Sequence, residues 1–437
     1  MLAIKEWQSL SLQEQQQILG RPEQAFSFKS RVQDIIDAVK TRGDEAVFAF
    51  SREYDRVELK ELRIPIDSLN KAEINPKAMN ALTQAIQNIR TYHQAMMPAP
   101  KQVETARGIT IERIYRPITS VGLYVPGGNN TPLVSSLLMQ AIPAAVAGCP
   151  IKILCTPPNS KGMIDPHLLV AARLCGIDTI YQIGGAQAIA AMAYGTESIA
   201  KVDKLFGPGN SYVTEAKIQV AADPIGAAID LPAGPSEVMV LADEQANPDF
   251  VAADLLAQAE HSVDSQVILI CESREFADKV NQKLTEQLQI LSRQAIIKQA
   301  LAYARIIVSN DRLSQLKIIN DYAPEHLIIN RSDANSFISG INSAGTIFLG
   351  PWAAESMGDY VTGSNHVLPT NGQARNLSGL STSDFLKAIS LQSISQEGLE
   401  NLGETAQILA LIEGLDAHAN AIKLRLKPIS GVSTCPY

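Results

Sequence analysis

Gln258, Glu260 and His261 stand in the stretch AQAEHSVDSQ (257–266), at the end of an otherwise ordinary amphipathic helix. Gln258 and His261 are three residues apart, a spacing that points both from one face of a helix. An amide oxygen beside an imidazole nitrogen could ligate a metal; the same pair could also be a polar helix end meeting water. Three more of the six histidines keep suggestive company. His326 follows Glu325 in YAPEHLIIN, a Pro-containing turn into an apolar strand. His366 shares the Gly/Asn/Pro-rich loop GDYVTGSNHVLPTNG with Asp359, and His418 follows Glu413 by five residues in IEGLDAHANA. A histidine taken singly is ordinarily a surface or satisfied core residue. Several at the edges of α/β layers suit a site, because open α/β sheets bind ligands at the carboxyl ends of their strands.

The glycines offer a second chemistry. YQIGGAQAIAAMAYG sets two glycines between an apolar strand and a helix, and FGPGNSYV repeats the arrangement twenty-odd residues on. Backbone N–H groups and a positive helix end at such turns could face a phosphate; a plain tight turn fits equally well. The GxGxxG fingerprint is absent.

These residues sit in alternating β and α segments. Strands are expected at SVGLYVPGG, IKILCT, TIYQIGG, KLFGPG, VMVLAD, QVILICE, RIIVS, HLIIN and GTIFLG, with helices over 133–148, 165–175, 186–194 and 248–260. Fully apolar strands in such alternation argue for parallel sheets covered on both faces. DLPAGPSE is a plausible crossing between two such units, and beyond STSDFLKA the strands are expected to stop. The 437 residues are 46% hydrophobic and 5% aromatic, enough for more than one core. Thirty-seven Lys and Arg against 45 Asp and Glu give a net charge of −8 without a basic run, which argues against a nucleic-acid partner. No apolar run approaches a membrane span, and the N-terminus reads as a short polar amphipathic helix rather than a signal peptide. Five cysteines (Cys149, Cys155, Cys175, Cys271, Cys435) lack CxxC spacing and fit free thiols in a reduced, cytoplasmic protein. From the residues alone the reading is a two-domain α/β enzyme using a nucleotide, a metal, or both.

VGLYVPGG, GGAQAIAA, FGPGNSYV, DLPAGPSEV, AQAEHS, APEHL, GDYVTGSNHVLPT and EGLDAHANA, in this order, closely resemble the motifs of the histidinol dehydrogenase family. The resemblance spans about residues 30 to 425; the first twenty-five residues and the final KPISGVSTCPY carry none of it. It implies oxidation of L-histidinol to L-histidine through L-histidinaldehyde, by two hydride transfers to NAD, as the last step of histidine biosynthesis. It implies one zinc per subunit on Gln258, His261, Asp359 and His418, with the metal holding the substrate. His326 is implied as the base and Glu325 as the group that activates water. Ser236 and Glu413 join His326 and the four ligands in substrate contact, with His366 in a supporting place; NAD contacts fall on Tyr124, Gln187 and Asn210. Family members are homodimers whose sites borrow residues from the other chain's C-terminal part.

The expected fold is thus α/β: two doubly wound, incomplete Rossmann-like parallel-sheet domains with helical N- and C-terminal extensions. The expected divisions are a helical extension at 1–25, a first domain at 26–128 plus 236–380, an inserted second domain at 129–235, and a C-terminal arm at 381–437 that crosses to a partner. Two rivals stand against this reading. An aldehyde dehydrogenase needs a reactive cysteine near the nicotinamide, and none of the five sits in a Gly-rich turn beside a candidate base. A non-catalytic scaffold has no use for His326, Glu325 and four spaced ligands together.

Overall fold

Every residue of Glu237–Ala242 (EVMVLA) is buried, as is every residue of Gln266–Cys271 (QVILIC) and of His326–Asn330 (HLIIN). Each buried Val, Leu or Ile contributes about 1.5–3 kcal/mol, so strands this apolar must be covered on both faces. They form the centre of a six-stranded parallel sheet ordered Ala3–Glu6, Arg305–Val308, Gln266–Cys271, Glu237–Ala242, His326–Asn330, Thr346–Leu349. Alternate residues serve two cores. Val238, Val240, Val267 and Leu269 pack with Val251, Leu255, Phe276 and Val280 from two helices on one face. Met239, Leu241, Ile268 and Ile270 pack with Ile318, Ile319, Tyr322 and Trp7 on the other.

The computed structural model describes residues 2–22, 28–128, 131–232 and 234–426; the final KPISGVSTCPY, with Cys435, lies outside them. Contacts divide the chain into two units, Met1–Met96 with Ile118–Phe385, and Met97–Pro117 with Leu386–Tyr437. The larger unit holds both parallel sheets. Its second sheet runs Ala228–Ile229, Lys204–Phe206, Ser120–Tyr124, Ile151–Cys155, Thr179–Tyr181, again all parallel. Strand order reverses between Ser120–Tyr124 and Lys204–Phe206, which opens a crevice there.

Three expected divisions differ from this topology. Ser120–Tyr124 lies inside the second sheet, and Val32, Ile35, Val39 and Val47 pack in that sheet's core with Ile189 and Val213. Residues 28–128 therefore do not group with the six-stranded sheet as expected. The N-terminal segment is not purely helical: Ala3–Glu6 is an edge strand on Arg305–Val308, followed by the helix Leu12–Leu19 with a Ser11/Glu14 capping box.

The strands also do not stop after STSDFLKA. In the smaller unit Leu386–Ile394 pairs antiparallel with Ile109–Pro117, which pairs with Lys101–Ala106; helices Gln396–Ile412 and Asp416–Leu426 follow. LKAISLQSI carries the spaced apolar residues of such a strand, but most of its side chains are exposed, unlike the solid apolar runs of the two parallel sheets. Among the described residues no helix is long and apolar enough to cross a membrane.

One buried ion pair fixes the turns at the second sheet's crevice. Lys217, on Ser211–Ala222, is paired with Asp230 and donates to the Gly207 and Leu231 carbonyls at 2.8 and 2.9 Å. Asp230 in turn accepts from the Gly207 and Leu231 N–H groups. Lys217→Met leaves the carboxylate buried and unpaired and is expected to cost about 3–5 kcal/mol, read as a lower urea midpoint. Lys217→Met with Asp230→Asn removes the orphaned charge and should recover much of that loss. A single-variant loss below about 1 kcal/mol would mean that the pair does not hold the turns.

Candidate active site

The peptide of Glu237, at the first residue of its strand, gathers the two residues expected to act. Its N–H donates to Glu325 Oε2 at 2.7 Å, and its carbonyl lies 3.0 Å from His326 Nδ1. A carbonyl only accepts, so Nδ1 carries a proton. Nε2 is buried, has no hydrogen-bond partner among the described residues, and faces Asp359 at 3.7 Å. His326 opens its strand directly after the turn at Pro324, and both it and Glu325 line a cavity of about 420 Å³.

Glu355 and Asp359 reach His326 from the short helix Glu355–Tyr360, four residues apart and so on one face. Burial disfavours a charged imidazole at His326, but Glu355, Glu325 and Asp359 outweigh it and hold the pKa well above the ordinary value. Burial raises the Glu325 carboxyl, with His326 offsetting part of the shift. Burial likewise pushes Glu355 up to about 8. At Asp359 burial acts upward too, yet His326, His366 and His261 prevail and keep it a carboxylate. Burial lowers both His261 and His366, which favours their neutral, lone-pair form. An anionic carboxylate beside neutral imidazoles is a donor set suited to a divalent cation.

Gln258 is buried at the end of Pro248–Ala259. Its amide is oriented so that the NH2 donates to Glu355 and the oxygen accepts from the Glu237 N–H at 2.6 Å, the assignment that satisfies both partners. His261 lies just beyond that helix rather than on it, exposed to the cavity, with its N–H on the Gln258 carbonyl. His326, Glu355 and Asp359 form a second potential donor set, with ligand atoms all within 4.8 Å of one another.

The cavity occupies the carboxyl ends of the second sheet, at the strand-order reversal, where Pro126, Pro208 and Asn210 line it. It occupies the amino ends of the six-stranded sheet, where Ser236 precedes Glu237–Ala242 and Glu325 precedes His326–Asn330. The expectation of a site at the carboxyl ends of the strands therefore holds for the second sheet and is corrected for the six-stranded one. Asn210 caps Ser211–Ala222, accepting from the Tyr212 and Val213 N–H groups. Tyr124 and Gln187 are buried at the start of Gly185–Tyr194, where the Gly185 N–H is taken by the Tyr124 hydroxyl and Gln187 Nε2 is unpartnered among the described residues. Both helix starts expected to face a phosphate thus spend N–H groups on internal caps. His366 lines the cavity with Nδ1 on the Asp359 carbonyl. Glu413 and His418 belong to the smaller unit and are exposed there.

Two contributors escaped the sequence reading. Glu355 had a visible signal, its four-residue spacing from Asp359 in ESMGDY. Glu237 had none, because the role lies in its peptide.

A two-sheet α/β enzyme with a histidine–carboxylate cluster and neutral imidazole donors in its cavity is the class that fold and site define. The histidinol dehydrogenase family profile matches residues 20–426. The chain is 62% identical to histidinol dehydrogenase of Legionella pneumophila, over 98% of this chain and all of that protein, and 48% identical to that of Vibrio parahaemolyticus, over 97% and 98%. The crystal structure of histidinol dehydrogenase from Elizabethkingia anophelis is similar with a TM-score of 0.93 at 41% identity, over 97% of this chain and 98% of that one. The chain belongs to the histidinol dehydrogenase family.

The loop that carries His366 is tied down by a buried neutral histidine. His93 Nδ1 meets Thr382 Oγ1 at 3.1 Å, while the Asn365 amide donates toward Nε2 and to the Met139 carbonyl. Burial lowers the His93 pKa to about 4, from an ordinary 6.5. The unfolded chain therefore takes up this proton first. The network's stability is complete above about pH 6.5 and declines as pH falls toward 4. Unfolding free energies measured across that window should fall in the wild type and fall less in His93→Gln; parallel curves would remove the assignment.

Proposed function

We propose that this protein oxidises L-histidinol to L-histidine through L-histidinaldehyde, in two NAD-dependent hydride transfers and with one zinc per subunit, as the last step of histidine biosynthesis. The observation that carries the reading is the free Nε2 of His326, aimed at Asp359 in a cavity that also presents Ser236 and His261. In the first oxidation His326 Nε2 takes the hydroxyl proton while the carbinol hydride leaves to NAD. In the second, water adds to the aldehyde with Glu325 as its base. The hydrate then loses a proton to His326 and a hydride to a second NAD, which leaves the carboxylate.

Gln258, His261, Asp359 and His418 are the residues we assign to zinc, in preference to the set that includes His326, because the base must stay free. When bound, zinc holds the substrate's imidazole and amine and so fixes the reacting carbon. The cation would also screen Asp359, one of the carboxylates that keep His326 protonated. Ser236 and Glu413 complete the substrate contacts, His366 supports them, and Tyr124, Gln187 and Asn210 serve NAD. A thiol mechanism is disfavoured by burial, which pushes Cys149 up to about 11 and Cys175 and Cys271 up to about 12. Buried free thiols suit the reducing cytoplasm.

Release of two NADH per histidinol tests the assignment, together with loss of turnover on metal removal and its return with zinc. His326→Ala is expected to lower the rate by roughly two to four powers of ten in both oxidations, and Glu325→Gln to slow the aldehyde step more than the alcohol step. Stopped-flow measurement with histidinol and with histidinaldehyde separates the two; equal losses would end the division of labour.

We further propose a homodimer in which Glu413 and His418 serve the partner's site. The smaller unit leaves Ile389, Leu391, Ile408, Leu411 and Ile412 exposed, apolar side chains that a partner subunit could cover. His326→Ala and His418→Ala proteins, each inactive alone, should regain about a quarter of wild-type activity when unfolded and reassembled together, because half the dimers are mixed and each holds one intact site. No recovery in a mixture shown by mass spectrometry to contain mixed dimers would end the shared-site reading.

A further inference from the structure

Arg21 lies outside every motif that carries the resemblance, yet it touches the frame of the catalytic pair from two sides. Its guanidinium donates in a fork to both carboxylate oxygens of Glu237, whose side chain is fully buried. One of the same nitrogens donates to the Tyr322 carbonyl at 2.9 Å, and the guanidinium lies 3.8 Å over the Tyr322 ring. Tyr322 ends the helix Arg312–Tyr322, and Ala323 after it is held at φ +52° before Pro324, Glu325 and His326. Arg21 thus bridges the start of one strand to the turn that opens the next. The arm that delivers it is anchored: Ala3–Glu6 pairs with Arg305–Val308, and Arg305 donates to the Gly20 carbonyl at 2.7 Å.

We infer that Arg21 is a positioning residue for the oxidation, acting through Glu237 on Glu325 and His326. The inference rests on the proposed roles of those two residues. Glu237 gives its N–H to Glu325 and its carbonyl to His326, two groups in the peptides on either side of its Cα, so the backbone torsions of this one residue set where both side chains point. It stands at the strand's first residue, where the ladder constrains it from one side only. The carboxylate supplies the other constraint, held by the Arg21 fork and by the Asn371 N–H at 3.0 Å. A planar fork fixes orientation where a point charge does not. Loss of the fork frees the Glu237 backbone to turn about its own torsions, and the proton-accepting nitrogen moves relative to the substrate.

The test uses the full-length, zinc-loaded enzyme and NADH release from histidinol. Arg21→Ala is expected to lower kcat about a hundredfold, the loss that roughly 1 Å of misplacement brings. KM for histidinol and NAD should stay within about twofold, since substrate binding is left in place. Ethylguanidine at sub-denaturing concentration should restore part of kcat by refilling the fork's place, and Arg21→Lys should remain impaired. Arg21→Met with Glu237→Gln removes both charges, so it folds without an orphaned carboxylate and is expected to keep the kcat defect. Wild-type kcat in folded Arg21→Ala would overturn the inference. So would a defect that only tracks the folded fraction by circular dichroism and vanishes in the double variant. His326→Ala run alongside separates the two levels: full activity there defeats the underlying assignment, whereas its loss beside a normal Arg21→Ala defeats positioning alone.

Discussion

A fully buried carboxylate is among the most expensive groups a protein can hold, and Glu237 sits at the meeting point of everything that makes this cavity. Taking an anion out of water costs several kcal/mol even after relaxation, so its partners are obligatory. Arg21 comes from the N-terminal arm and the Asn371 N–H from the loop that carries His366. The same residue's peptide holds Glu325 and His326 and receives the Gln258 amide. Four stretches, around residues 21, 258, 325 and 371, are thereby locked to one position at the head of one strand. The electrostatic requirement of a single side chain specifies the geometry of the rest.

The second constraint is an excess of acid. Glu325, Glu355 and Asp359 surround one imidazole in a dry pocket, and like carboxylates so placed cannot all ionise. The structure divides them. Burial raises Glu355 to about 8, while Asp359 is held charged chiefly by His326. An added cation is the simplest complement to the remaining negative charge, and it would act on the neutral faces of His261 and His366.

What the sequence made legible follows the strength of local signals. EVMVLA, QVILIC and HLIIN are solid apolar runs with β-branched residues, and all three are strands. LKAISLQSI and ITIERIYRP dilute that signal with polar residues, and their pairing joins segments almost three hundred positions apart. The histidines at 261, 326 and 366 announced themselves by composition and do line one cavity. Glu355 was readable only by anyone counting four residues back from Asp359. Arg21 and Glu237, 216 positions apart, offer no pattern at all, because an ion pair across that distance exists only after the sheet has formed.

The two sheets meet the cavity with opposite ends, and this division has a chemical sense. Glu237 opens its strand, in register with Gln266 on one neighbour and one residue ahead of the pairing of Val238 with His326 on the other. Its N–H meets the Glu325 carboxylate and its carbonyl the His326 imidazole, which ties both side chains to the head of a fully buried strand. The carboxyl ends of the second sheet present turns instead, with Pro126, Pro208 and the Asn210 cap at the reversal of strand order. Turns of that kind suit a molecule that must enter and leave, as the proposed reading requires of NAD twice for every histidinol consumed. Proton transfer needs placement fixed to a fraction of an ångström. One sheet's heads and the other sheet's tails meet in a single cavity, and a buried ion pair holds each side: Arg21 with Glu237 on the first, Lys217 with Asp230 on the second.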